Sequence, residues 1–448
     1  MKTVTVYGAT SYTGSTHLLP YLDTNYAGQV HLIIAGRNRS KLDALNASLS
    51  AINEKHRSVA ALSLDDPAAV KALVDKSDVV INLAGPYGLY NALELIGACA
   101  KAGKHYLDLN GDVGMLAADV VPRWDFAASQ TGSVIVPMCG FESAPGDLIV
   151  YEALRTLQNH VGRNVGIAHS TTFYDIVGSV SGGTMASVEA GIQSGSAADG
   201  AQEAALLGQA SQVPSPKVKL VYEPPVRVAG APKYGAFFIQ YLPNRAVLRR
   251  SWHLLRLPPS TVSHKSNGQF SNDSEPLPAD KVTFEEAMSG MGARKVTSWI
   301  GAFLTSLVVI VFGALYVSAA WFRRLVSPWV PKPGQGPTLE ECAKGSTHLI
   351  NVSVGHDGTA IKTEYVGKGD PGYSHTAMLL AESALSLALP APKGTKLPPL
   401  ADVGGVLTPA TAFGGVVIER LRLAGVADIN GQIVQPLQGT HAEGKKDL

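Results

Sequence analysis

Apolar positions fall in short unbroken runs through the first third of the chain. TVTVY (3–7), HLIIAG (31–36), VVINL (79–83), HYLDL (105–109) and SVIVP (133–137) are rich in β-branched and aromatic residues and bounded by glycine, proline or polar residues, which predicts buried strands. Between them, DPAAVKALVDKS and NALELIGACAKAGK place apolar residues three and four apart and predict amphipathic helices, the second closed by Gly103. Strands alternating with helices over roughly 140 residues specify an α/β fold of the Rossmann type, a doubly wound parallel sheet.

From about residue 147 the pattern changes. HSTTFYDI predicts a strand carrying His169, Tyr174 and Asp175, and SGGTMASVEAGIQSG a helix opening near Thr184, whose Gly-Gly entry could receive a substrate carboxylate or thioester oxygen or be a plain helix start. Residues 257–280 are polar, proline-rich and aperiodic and read as a mobile loop. THLINVSVGHDGTAIKTEYVG alternates apolar and polar positions about Asp357-Gly358, a hairpin signal, and YSHTAMLLAESALSLAL predicts an apolar helix. Together these make a second, α+β domain. Within it, WIGAFLTSLVVIVFGALYVSAAW (299–321) carries no charge over 23 residues and has Arg294, Lys295, Arg323 and Arg324 at its ends. A long apolar helix with terminal tryptophans suits docking on a membrane or lipid surface. A buried or homodimer-interface helix and a true span are the other readings.

Length and charge narrow the class. The 448 residues allow two domains, and a net charge of +1 with 16% charged residues gives no electrostatic case for nucleic-acid binding. Cys99, Cys139 and Cys342 form no CxxC pair, which argues against a structural zinc site or a disulfide framework and suits the cytoplasm. No motif for a metal is present. The first residues lead straight into a strand, without the basic and apolar regions of a signal peptide.

The first strand is followed by GATSYTG. A glycine-bounded turn between strand and helix aims backbone N–H groups and the helix dipole at an anion. Gly8, Thr10, Ser11, Tyr12, Thr13 and Gly14 are therefore the candidate pyrophosphate cradle, with Ser11 standing where a middle glycine is usual. Serine demands ordinary φ and ψ there, and its hydroxyl can donate to phosphate. The second strand ends AGRNR, with Arg37 and Arg39 where NAD enzymes place an acid for the ribose hydroxyl. A guanidinium suits a 2′-phosphate, so the cofactor reads as NADP(H) rather than NAD(H), against the alternative of two solvated arginines. Ala84, Gly85 and Pro86, after the third run, leave room for the nicotinamide ribose, and Cys139 follows the fifth. Tyr87, after the Gly-Pro turn, is the best-placed proton donor, or an aromatic wall against the ring. Asp108, Asn110 and Glu142 lie near the same edge. None of the 15 tyrosines has a lysine four positions later, which removes the proton-donor pair of short-chain dehydrogenases.

GATSYTG, AGR, NLAGPYGLYN, HYLDLNGD, CGFESAPGD, SGGTMAS and GGVLTPATAFG, in this order from residue 8 to 414, resemble the saccharopine dehydrogenase-like oxidoreductase family, which includes trans-acting enoyl reductases. The family loop usually reads GATGFTG or GATGYTG, and an aspartate usually stands where this chain has Glu142. The resemblance implies an NADP-binding Rossmann domain (1–147), an inserted α+β substrate domain (148–400) and a C-terminal segment (401–448) that returns to the first. It implies an oxidoreductase acting on a small molecule. The apolar helix favours a lipid-like or polyketide-type substrate with a C=C, C=N or C=O bond. The alternatives are a saccharopine-type amino-acid dehydrogenase, which would need converging arginines, and a non-catalytic nucleotide-binding protein on a lipid surface.

Overall fold

The computed structural model describes residues 1–162, 165–178, 218–256, 282–330 and 336–437. Seven strands form the first sheet: β1 (Lys2–Tyr7), β2 (Val30–Gly36), β3 (Arg57–Ala61), β4 (Val79–Asn82), β5 (His105–Asp108), β6 (Val134–Val136) and β13 (Gly405–Val406). Their order is β3-β2-β1-β4-β5-β6-β13, with every pair parallel. The first six have the doubly wound order of the Rossmann fold; five of them are the predicted runs, β3 is not among those, and the chain reverses direction of travel between β1 and β4. At that switch point the loops after β1 and β4 part and leave a crevice at the carboxyl edge. One face of the sheet carries the helices Pro67–Asp75, Ala92–Ala102 and Val121–Thr131. The helix Thr376–Ala388, from far along the chain, packs against β1, β4 and β5.

The second sheet contains β7 (Ile167–Val177), β8 (Ala236–Phe237), β9 (Thr283–Met291), β10 (Arg294–Lys295), β11 (Ser346–Gly355), β12 (Ala360–Lys368) and β14 (Ala427–Val434). Its order is β10-β9-β7-β11-β12-β14, with β8 on β9; β7 and β9 run parallel and the other pairs antiparallel. The predicted hairpin is β11–β12, turning through Gly358 at φ +86°. Strand alternation puts Tyr174, Leu349, Ile361 and Tyr365 on one face, against the helix Ala144–Val161. One apolar cluster continues from there into the Rossmann core. SGGTMAS, residues 257–280 and Arg163 lie outside the described residues.

The helix Ala144–Val161 runs through residue 147 and joins the two sheets. Buried Asp147 accepts from the Ser251 hydroxyl and, at 2.8 Å, from the Ala410 N–H. Arg250, also buried, donates from Nε to the Val406 carbonyl at 3.0 Å and from Nη2 to Asp125 at 3.1 Å. These contacts fix β13 beside β6, while β14 of the same C-terminal segment completes the second sheet.

The apolar stretch forms a helix, Trp299–Ser318, that breaks at Ala319 and resumes as Ala320–Val326. Ala302, Ser306 and Tyr316 are buried, and most of its other large side chains are exposed, which corrects the reading of a core helix.

Candidate functional site

The crevice is built from the loops after β1, β2, β4 and β5. Gly8 has φ +74°, and a Cβ there would lie 2.6 Å from the Ala84 nitrogen. A Cβ on Gly14 would lie 2.7 Å from the Ala9 carbonyl oxygen, so this glycine lets the helix approach the strand. Both glycines are thus required by packing as well as by a ligand. Ser11 lies outside the positive-φ residues, as the loop reading demands. Its Oγ accepts from the Gly14 N–H at 3.2 Å, which caps the helix start and leaves the hydroxyl hydrogen available. The helix begins with a π turn, Gly14–Leu18, before Leu19–Tyr26. As at any helix start, the first-turn N–H groups of Tyr12 and Thr13 lack an intrahelical acceptor. Thr10 is exposed beside them.

The Tyr12 side chain points elsewhere. Its hydroxyl donates to the Pro337 carbonyl, and its ring stands edge-on to Tyr373 at 5.2 Å and His17 at 5.5 Å. Only its backbone is left for the cradle. Arg37 and Arg39 also part company. Arg39 forms a 2.9 Å ion pair with Asp43 one turn along its helix. Arg37 is exposed and lies over the Tyr90 ring, 4.5 Å from its centroid, with no carboxylate paired to it among the described residues. We expect Arg37→Ala to erase most of a preference for NADPH over NADH of about tenfold or more, equivalent to about 1.4 kcal/mol. Competitive titration with both cofactors checks this; equal affinities in the unmodified chain would remove Arg37 from the site. Ser11→Gly should leave NADPH binding within a few-fold. Ser11→Val, which removes the cap and adds a branched Cβ, should weaken it about tenfold or more, read in the same titration.

After β4, Gly85 is exposed and Ala84 and Pro86 are half-buried, with a cis bond between Gly85 and Pro86. Tyr87 is buried. Its hydroxyl donates to the Asn82 carbonyl and accepts from the Leu109 N–H, both at 3.1 Å. Burial and the Asp108 charge hold the phenol well above its ordinary range. The sequence offered Tyr87 as a proton donor or as an aromatic wall; here both hydrogen-bonding roles of its hydroxyl are taken by backbone, which ties two loops together. Tyr87→Phe should therefore cost about 1–3 kcal/mol of stability, through the N–H left unpaired, and change turnover only a few-fold. A loss of about 10²-fold or more in kcat at unchanged folding would restore it as the acid.

Behind the loops lies a buried polar chain that sequence showed only in part. The Asn82 side chain accepts from the Ala84 N–H at 3.0 Å and donates to the Tyr106 hydroxyl at 3.1 Å. Tyr106 in turn donates to Asp108 at 2.8 Å. The other Asp108 oxygen accepts from the N–H groups of Asn110 and Met138, at 2.9 and 3.1 Å. One carboxylate thus ties the ends of β4, β5 and β6 together, and burial raises it to about 6. Asn110 is nearly buried and accepts from the Asp112 N–H. Cys139 does not reach the crevice. It is fully buried in the core beneath Ser383, and burial pushes its thiol up to about 12. The Glu142 carboxyl is raised by burial, with the Asp108 charge adding to the shift.

Where the second sheet meets this edge, Phe141 packs edge-on to Tyr174 at 6.3 Å, and Tyr174 stacks on Phe238 at 4.3 Å. Glu286, fully buried on β9, bonds to the Tyr174 hydroxyl at 2.7 Å and to the Asn244 side chain at 2.8 Å. Burial raises it to about 8. Two adjacent acids in the apolar strand VTFEEAM are the signal for it in the sequence. His375 is neutral: its Nε2 is 2.7 Å from the Tyr365 hydroxyl, its Nδ1 is 3.1 Å from the Lys368 carbonyl, and burial lowers it to about 4. Among the described residues no His, Cys, Asp and Glu cluster could hold a metal.

The residues present fit a dinucleotide phosphate: a capped helix start whose first N–H groups have no intrahelical acceptor, small residues along the crevice, and at the end of β2 the Arg37 guanidinium, which has no carboxylate partner among the described residues. The family model agrees. Residues 4–131 match the family model described as the saccharopine dehydrogenase NADP binding domain. A Mycobacterium tuberculosis (strain ATCC 25618 / H37Rv) protein, provisionally named a trans-acting enoyl reductase, is 29% identical over 444 residues, covering 95% of this chain and 96% of its own. A second from the same strain, named trans-acting enoyl reductase, is 28% identical over 448 residues, covering 94% and 96%. Among solved structures, homospermidine synthase from Legionella pneumophila in complex with NAD aligns with a TM-score of 0.48 at 13% identity, covering 100% of this chain and 95% of that one. The apo saccharopine dehydrogenase (L-Glu forming) of Saccharomyces cerevisiae aligns with a TM-score of 0.44 at 12% identity, covering 97% and 100%. Residues 4–131 are thus similar to the saccharopine dehydrogenase NADP-binding domain, and the chain is an NADP-dependent oxidoreductase acting on a small molecule.

Proposed function

We propose that the chain reduces an activated C=C bond in a lipid-like or polyketide-type acyl substrate, in the manner of an enoyl reductase, on the cytoplasmic side of a lipid surface. The observation that carries the choice of bond is the engagement of the titratable groups at the edge. The Tyr87 hydroxyl is held by two backbone groups, Asp108 by two N–H groups and Tyr106, and Cys139 is in the core. NADPH, when bound, supplies a hydride. Addition at the β-carbon of an enoyl thioester leaves an enolate whose α-carbon can take its proton from water. Reduction of a ketone or imine instead calls for a positioned acid at the heteroatom. The chain's own part is to hold the loops rigid through Asn82, Tyr106 and Asp108, and to keep an apolar wall of Phe141, Tyr174 and Phe238 behind the edge.

The names of the mycobacterial relatives support this reading, and the three free, buried cysteines suit a reducing compartment. A saccharopine-type substrate is less well served. Arg155 pairs with Glu152, Arg250 is held by Val406 and Asp125, and Arg227 lies over Tyr234. The same reading divides the chain into a nucleotide unit (1–147), a substrate unit (148–400) and a segment (401–448) shared between them. The test is single turnover with NADPH deuterated at C4 against 2-enoyl thioesters, aldehydes and cyclic imines. Deuterium should appear at the β-carbon of the saturated thioester. Transfer to the aldehyde or imine alone would overturn the choice of bond.

A further inference from the structure

We infer that the helical ridge from Trp299 to Trp329 is a one-sided anchor that lies in the plane of an anionic phospholipid leaflet and does not cross it. This rests on the lipid-surface part of the reading above and is independent of the reaction. A helix of 20 residues is long enough to span a bilayer core, at about 1.5 Å per residue. Its packing forbids that. The buried residues Ala302, Ser306 and Tyr316, with Val309 and Gly313 between them, form one stripe along nearly the whole helix. Ser306 Oγ accepts from the Phe237 N–H at 2.7 Å and donates to the Leu220 carbonyl at 2.6 Å. Val309 and Ile310 pack on Phe173, Tyr222 and Phe237, and a Cβ on Gly313 would touch Ile239. The folded body therefore holds both ends of the helix. A crossing would draw the second sheet, including the Lys219–Glu285 ion pair, into hydrocarbon.

The opposite stripe is apolar and open: Ile300 is 66% exposed, Leu304 53% and Val308 67%. Three of the chain's five tryptophans edge this ridge, with Trp299, Trp321 and Trp329 all exposed. Tryptophan prefers the headgroup level, where its ring is apolar and its N–H wet. Charge names the occupant. Between Glu286 and Glu340 the sequence has no acidic residue and five basic ones, in a chain whose net charge is +1. Arg294 and Arg324 are exposed at the two ends. Arg323 Nη1 donates to the Tyr316 and Val317 carbonyls at 2.8 Å and closes the helix end. A second copy would bring the same positive charge against this patch, whereas anionic headgroups complement it.

The experiment is flotation of the full chain with sealed vesicles of phosphatidylcholine, alone or mixed with phosphatidylserine, beside NADPH titration of each sample. Binding should be about tenfold or more stronger to the mixed vesicles. It should be lost in Leu304→Glu/Val308→Glu and weakened about tenfold or more in Arg294→Ala/Arg324→Ala, with NADPH affinity unchanged in both. Tags at both termini of the bound chain should stay open to added protease. One protected terminus would overturn the in-plane arrangement. Absence of flotation, with a dimer that the Leu304→Glu/Val308→Glu variant dissociates, would give the face to a second copy and overturn the inference. NADPH affinity, read on the same samples, keeps failure of the anchor distinct from failure of the enzyme reading.

Discussion

Gly8→Ala should destabilise the chain by roughly 3 kcal/mol and cut NADPH affinity well beyond tenfold. Two costs add at this position. The backbone at φ +74° disfavours any side chain by about 1–2 kcal/mol, and the new methyl would lie 2.6 Å from the Ala84 nitrogen and 2.7 Å from the Leu83 carbonyl carbon. Those are backbone atoms, and β4 is held to β1 there by the Leu83 N–H donating to the Tyr7 carbonyl at 2.8 Å. Relief must come from moving the phosphate loop, so binding is lost along with stability. Denaturant unfolding and cofactor titration of the variant read the two effects. A variant as stable as the parent, with unchanged affinity, would mean that the loop does not meet β4 in this way.

Glu286→Gln should stabilise the protein, and the gain should grow with pH. Glu286 is raised to about 8 from an ordinary value of 4.5. The folded state therefore binds a proton that the unfolded state has released, and the stability this gives is lost as pH rises through the folded value. The loss runs from about 4.5 to about 8 and then levels. Asp108 and Asp147, each raised to about 6, add to the slope below that value, and His375, lowered to about 4, opposes it up to about 6.5. From about 6.5 to 8, the difference between variant and parent cancels the groups that the two share and isolates Glu286, which faces Tyr174 and Asn244. Glutamine keeps an acceptor oxygen for Asn244 and places an NH2 donor where the protonated acid has its hydroxyl, so both bonds are kept. The difference between variant and parent should grow by about 2 kcal/mol across that interval. Parallel stability–pH curves would show that Glu286 is ionised in the folded state.

The parallel sheet was legible because its strands are buried on both faces and read as short β-branched runs closed by glycine or a polar residue. The Gly8 and Gly14 positions, the arginine at the end of β2 and the hairpin at Gly358 were legible for local reasons: backbone sign, charge at a fixed offset and turn chemistry. What stayed hidden depends on partners distant in sequence. Tyr87 looked free because nothing local reveals that the Leu109 N–H arrives at its hydroxyl. Cys139 followed the right strand, yet the helix Thr376–Ala388 closes over it. Tyr12 stands in the loop sequence with its neighbours, while its side chain answers to Pro337 and Tyr373. Arg39 did carry a local sign of its fate, since Asp43 lies four residues on in a helix. The apolar segment announced itself by composition, but which stripe is covered follows only from the packing of Phe237 and Tyr222 against it.

The most direct test of the account is titration of the full chain with NADPH and NADH, followed by nicotinamide fluorescence, in the parent and in Arg37→Ala. The account predicts saturable binding of both, about tenfold or more tighter for NADPH, with the difference collapsing in the variant. No saturable binding of NADPH, or a preference that survives the loss of Arg37, would contradict it.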